Sequence, residues 1–198
     1  MGNKLTKNQI NIEKIFKENY ELFSSIYRDQ DIKNKIEEAA EIVCRSLNDG
    51  KKVLFFGNGG SAADAQHMAG EFVSKFMFDR DSLPGIALTT DSSIITAVAN
   101  DYGFECIFSR QIEAIAREGD VAFAYSTSGK SKNVLNALET SERKGLHNIG
   151  LTGIEGEDMN KYCEILIKIP SKTVPRIQEG HLLVGHAISE LVELKIFK

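Results

Sequence analysis

The chain has 198 residues, with 24 Lys and Arg against 28 Asp and Glu, a net charge of -4, and 42% hydrophobic and 26% charged residues. That length suits one domain, 1–198, with a sizeable core, and leaves little room for a second. The composition excludes a disordered chain, and the mild acidity gives no global attraction to nucleic acid or an anionic membrane. Any anionic ligand must therefore be held by local features.

In chain order, the first fifty residues read as a helical extension. Ile10, Ile12, Ile15, Phe16, Tyr20, Phe23 and Ile26 recur at three- and four-residue steps. A second pattern, Ile32, Ile36, Ala39, Ile42, Val43 and Leu47, stops at Asn48-Asp49-Gly50. Five short apolar runs follow, at 52–56, 85–89, 121–125, 148–152 and 165–170, separated by helical stretches. Continuous apolar strands of this kind predict a parallel sheet covered on both faces. A long helix from about Pro175 closes the chain, with Ile177, Leu182, Val184, Ile188, Leu191 and Leu194 as candidate core positions. The expected fold is α/β, a doubly wound five-stranded parallel sheet with an N-terminal helical extension. Ligands of such sheets bind beyond the carboxyl ends of the strands, which singles out the loops after the first and third.

No apolar run reaches the roughly 18 residues of a membrane-crossing helix, so no membrane partner is expected. The start, MGNKLTKNQINIEKIF, shows no apolar stretch ahead of a cleavage site, so a cytoplasmic protein is expected. Met1-Gly2 with Thr6 fits an acylation pattern too unspecific to use. Cys44, Cys106 and Cys163 are far apart and odd in number, which reads as reduced thiols.

The loop after the first strand is Gly57-Asn58-Gly59-Gly60-Ser61-Ala62. Glycines let the backbone approach a ligand, and the following helix start offers free N–H groups. Ser61 with Asp64 is close to a capping box. The string also satisfies GxGxxA, but the acidic residue due about 20 positions on is missing, Asp91 coming later. A sugar or phosphate contact is the better reading. After the third strand, Ser126-Thr127-Ser128-Gly129-Lys130-Ser131 supplies hydroxyls and backbone amides at a helix start, the makings of an anion cradle.

His67 and Glu71 are i and i+4 on the helix after the glycine loop, a spacing that lets them share a divalent metal. In the last helix, spacing pairs Gln178 with His181 on one face and puts His186 about 80° further round. Spacing does not decide which of the two histidines turns inward.

NGGSAADAQHMAGEF, ANDYGFECIFSRQIEA, STSGKSKNV, LTG and RIQEGH, in this order, resemble the phosphoheptose isomerase family of the sugar isomerase (SIS) fold over nearly the whole chain. The resemblance implies a cytoplasmic homotetramer and a zinc-dependent isomerase. Its reaction takes sedoheptulose 7-phosphate to D-glycero-D-manno-heptose 7-phosphate, through an enediol, for heptose of lipopolysaccharide or capsule. It implies His67, Glu71, Gln178 and His186 as zinc ligands, and so selects His186 over His181. It implies sugar-phosphate contacts from Asn58, Gly59, Gly60, Glu71, Asn100, Asp101, Ser126, Thr127, Ser128, Ser131 and Gln178. Glu71 is the expected base and His186 its acid–base partner. Pro175 stands where the family often has an acidic residue. The alternative is a non-catalytic SIS protein that binds the DnaA replication initiator; the four residues of the metal set favour the enzyme. The apolar first helices, large for so small a sheet, are expected to pack in the oligomer.

Overall fold

The five apolar runs become five strands because each can be buried on both faces. In the computed structural model, which describes residues 7–198 and side chains from Ile12 onward, they are β1 (Val53–Gly57), β2 (Gly85–Ala87), β3 (Val121–Ser126), β4 (His147–Gly153) and β5 (Ile165–Ile169). All pair in parallel, in the order β2-β1-β3-β4-β5. The helices are α1 (Lys7–Arg28), α2 (Gln30–Asn48), α3 (Gly60–Val73), α4 (Ser92–Tyr102), α5 (Ser109–Ile115), α6 (Lys132–Arg143) and α7 (Val174–Phe197). The chain winds from β1 outward to β2 and then returns to the other side of β1 for β3. That reversal opens a crevice at the carboxyl ends of β1 and β3, where both unusual loops lie.

Alternation along the strands sorts the core into two layers. Phe55, Phe123, Tyr125, Ile149 and Leu151 pack with α2, α3 and α7, and Phe55 meets Phe72 edge-on at 5.3 Å. Leu54, Phe56, Ala122 and Ala124 pack with Phe108, Ile112, Val134 and Leu138 of the opposite layer. At the amino ends of the strands, buried Asp120 accepts from the Lys52 and Arg117 amides and the Lys52 ammonium, tying β1 to β3. Asp29 caps α2 through the Ile32 amide, and Gly50, at φ 71°, ends the chain's path out of α2 in the left-handed region.

Among the described apolar residues of α1, Leu22 and Ile26 are buried, while Ile12, Ile15, Phe16, Tyr20 and Phe23 are exposed, since α1 lies along the outside of α2 and α7. The side chain of Ile10, and Thr6 entirely, fall outside the described residues. In α7, Ile177, Val184 and Ile188 are buried, while Leu182, Leu191 and Leu194 are only partly covered. Among the described residues no helix is long and apolar enough to cross a membrane, and the three cysteines are free.

Candidate active site

The glycine loop is shaped by what cannot fit there. A Cβ on Gly57 would meet the Tyr125 carbonyl and Ser61 at 2.8 Å, so β1 and β3 converge at this point only on a glycine. Gly59, at φ 56°, caps α3 without a side-chain bond. Helix α3 therefore starts two residues earlier than a Ser61 cap requires. Ser61 is buried inside it, and the expected capping box does not form. Asn58 and Asn133 exchange two side-chain amide bonds of 2.8 Å, joining the loop after β1 to the first turn of α6. Sequence reading missed Asn133; its partner is 75 positions away, beyond any local pattern.

Helices α3 and α7 run side by side in the same direction. A Cβ on Gly60 would lie 2.7 Å from Cδ of Gln178, one on Gly185 would lie 2.9 Å from Sδ of Met68, and His67 Nε2 is 2.8 Å from His186 Nε2. The Glu71 carboxylate is 3.2 Å from His67 Nε2. Three candidate ligand atoms, from His67, Glu71 and His186, lie within 4.8 Å of one another. Two imidazole nitrogens and a carboxylate oxygen are a donor set suited to zinc, and three protein ligands with an open position is the catalytic pattern. The residues present fit that ion. Gln178 holds its amide against Gly60, and the helix rise puts its Cα about 12 Å along α7 from that of His186. The structure gathers three of the four expected ligands and sets the fourth at the glycine loop.

The choice between histidines is now geometric. His186 meets His67 and has the Phe76 ring at 5.3 Å. Its pKa lies below the usual range because of partial burial and then the His67 charge, with Glu71 pulling the other way. His181 is fully buried, its ring 5.8 Å from Tyr125, with neither nitrogen in a well-aligned hydrogen bond among the described residues. Burial lowers its pKa to about 4, partly offset by the nearby Thr152 backbone carbonyl. Asp64, one turn before His67, also buries an unpartnered oxygen, and burial pushes its pKa up to about 6, partly offset by His67. The Tyr125 hydroxyl is a third orphan, so a polar layer lies beneath the cluster, among α3, β3 and α7. His147 lies apart at the start of β4, paired with Glu164 at 2.9 Å.

The hydroxyl loop forms as expected. Ser126 ends β3 with its hydroxyl 3.2 Å from that of Ser131, the N-cap of α6. No side chain caps α6, so its first amides remain for a ligand. Gly129, at φ 67°, turns the loop where a Cβ would strike the backbone of Gly156. A cavity of about 160 Å³ opens beside it, lined by Thr127, Ser128, Lys130, Glu155 and Lys172 among others. Asn100 and Asp101 stand apart from both clusters. They are exposed on α4, bonded to each other at 2.7 Å, and no hydrogen bond among the described residues links them to the hydroxyl loop or to α3 and α7. Pro175 sits in the first turn of α7, where its missing N–H costs no helical bond.

The SIS domain family model matches residues 16–153. The phosphoheptose isomerase of Burkholderia pseudomallei is 50% identical over 176 residues, 89% of each chain. That of Aneurinibacillus thermoaerophilus is 52% identical over 174 residues, 88% of each. Among solved structures, the phosphoheptose isomerase of Neisseria gonorrhoeae superimposes with a TM-score of 0.88 at 36% identity, covering 95% of this chain and 100% of that one. The enzyme of Francisella tularensis does so with a TM-score of 0.90 at 33% identity, covering 96% and 100%. With its parallel sheet, its two crevice loops and the His67–Glu71–His186 cluster, the chain belongs to the phosphoheptose isomerase family, enzymes built on the SIS domain.

Proposed function

We propose that this isomerase converts sedoheptulose 7-phosphate to D-glycero-D-manno-heptose 7-phosphate in the cytoplasm, as a homotetramer with zinc, and supplies heptose for lipopolysaccharide or capsule. The observation that carries the reading is the His67–Glu71–His186 cluster at the same sheet edge as the hydroxyl loop. A non-catalytic initiator-binding protein has no use for such a cluster. The reaction moves one proton from C1 of the ketose to C2 through an enediol, while a hydroxyl proton passes between the two oxygens. A C–H next to a carbonyl is a weak acid, so a base must stand at the carbon and the carbonyl must be polarised.

Glu71 takes the C1 proton and delivers it to C2. His186, across the cluster, accepts the hydroxyl proton from one oxygen and gives it to the other; a neutral imidazole suits that exchange, and its lowered pKa keeps it neutral near pH 7. Zinc held by His67, Glu71 and His186, with Gln178 as the fourth residue of the family set, would polarise the carbonyl as a Lewis acid. An imidazole nitrogen bound to metal cannot carry a proton, so His186 serves one role at a time. The phosphate rests on Ser126, Thr127, Ser128 and Ser131 and the uncapped amides of α6, which fixes C1 and C2 against the cluster. Asn58, Gly59, Gly60 and Gln178 contact the sugar between them. The pairing of Asn58 with Asn133 holds the two loops at a set spacing. Asn100 and Asp101 reach a site only from a neighbouring copy in this reading.

Incubation of the protein with sedoheptulose 7-phosphate, with chelator and with added zinc, tests it. Aldoheptose phosphate is expected with zinc and is lost with chelator. No product under any condition removes the assignment.

A further inference from the structure

Arg80, on the segment leaving α3, and Glu193, on α7, form an ion pair that is almost wholly out of water. The Arg80 and Glu193 side chains are 3% and 1% exposed, with Nε 3.0 Å from Oε1. Such a pair persists only where hydrogen bonds satisfy both ions, and by itself it is a weak source of stability. Here both are satisfied. Arg80 Nη1 donates to the carbonyls of Phe72, Ser74 and Asp81, and Nη2 donates to the carbonyl of Glu71 at 2.8 Å. These include carbonyls of the last turn of α3, which no helical N–H can reach, and a cation there complements the helix dipole. Glu193 accepts from the amides of Phe76 at 2.9 Å and Met77 at 2.7 Å. Burial would raise its pKa, but those amides and the guanidinium prevail and hold it below the usual carboxylate range.

Both ends of the pair lead to the reacting groups. Arg80 grips the backbone of Glu71 itself. Glu193 lies seven residues after His186 on α7, two turns along the same face, and through the Phe76 amide it sets the ring that packs on His186 at 5.3 Å. We propose that Arg80 and Glu193 are positioning residues: a buried clamp that fixes the last turn of α3, with Glu71, and the Phe76 ring against α7, with His186. The clamp rests on the reading above, in which Glu71 and His186 act on the substrate. A planar guanidinium with five donors can hold several carbonyls and a carboxylate at fixed angles; a lysine cannot.

The test compares Arg80→Lys, Glu193→Gln and the apolar double variant Arg80→Met with Glu193→Leu against the unsubstituted protein, well below each melting temperature. The readouts are kcat and KM for sedoheptulose 7-phosphate, and the zinc affinity of the metal-free protein in competition with a chelating dye. Groups that orient metal ligands typically change affinity by about 10–100-fold when replaced, and a loss of at least about tenfold in both kcat and zinc affinity is expected. KM should stay within about twofold, because the phosphate cradle lies on other elements. The double variant is expected to recover its melting temperature but not its kcat or zinc affinity. A pair that only stabilises the fold would lower the melting temperature and leave kcat and zinc affinity unchanged, and that result overturns the clamp. If the unsubstituted protein makes no product, the isomerase assignment fails while zinc affinity still decides the clamp; if it turns over but binds no zinc, the kcat ratio decides it.

Discussion

Glu71 shows how much one side chain is asked to do. Its carboxylate is 3.2 Å from His67, and its carbonyl is bound by Arg80. Glu71→Gln keeps the shape and removes the basicity. Turnover should fall by about 10²–10⁴, the usual worth of a placed base, while calorimetric affinity for the ketoheptose phosphate changes little. Turnover near that of the unsubstituted protein would take the base role from this residue. His67 and Glu71 were legible as a pair because both sit on one helix at a fixed spacing. His181 and His186 were not separable, since five residues carry the second about 140° round the helix and only the neighbours decide which direction is inward. Packing against Tyr125 answers that for His181, and the meeting with His67 answers it for His186.

At the scale of elements, the parallel contact of α3 with α7 makes the cluster, and the polar layer beneath it carries a pH signature. His181 has a folded pKa of about 4 against 6.5, so below pH 6.5 the unfolded chain takes up a proton the folded one refuses. Stability is lost as pH falls from 6.5 to 4, by about 3 kcal/mol at 1.36 kcal/mol per unit. Asp64 acts in the opposite sense. With a folded pKa of about 6 against 3.8, it gives the folded state the extra proton and regains stability as pH falls through that window, by less than the shift implies because solvent screens a partly exposed group. It offsets part of the His181 effect in the metal-free protein. His181→Gln should therefore leave a chain that grows more stable, relative to the unsubstituted one, between pH 6.5 and 4. Urea melts across that range check it, and a pH-independent difference would show that His181 is not held neutral by burial.

For the molecule as a whole, the covered sheet contrasts with the bare outer helices. Phe16, Tyr20 and Tyr27 of α1 are 68%, 72% and 77% exposed, and α4 has no buried residue. In the proposed homotetramer a second copy of the chain is the expected cover for these apolar side chains. Phe16→Glu combined with Tyr20→Glu should yield smaller species in sedimentation equilibrium. Turnover should fall with them, because Asn100 and Asp101 lie on α4, apart from the cluster. An unchanged assembly would take α1 out of the contact.

By itself the sequence determined the layered fold and the two crevice loops. Strand burial and helix periodicity are local properties of composition along the chain, and β1, β3 and β4 read as plainly in the sequence as in the sheet. The resemblance of its motifs carried the family. Only the tertiary structure decided that Gly60 makes room for Gln178, that Asn133 holds Asn58, and that Arg80 joins Glu193 across 113 positions. Those contacts follow from which helix faces meet once the sheet has formed, and no periodicity in a single segment encodes the identity of a partner on another.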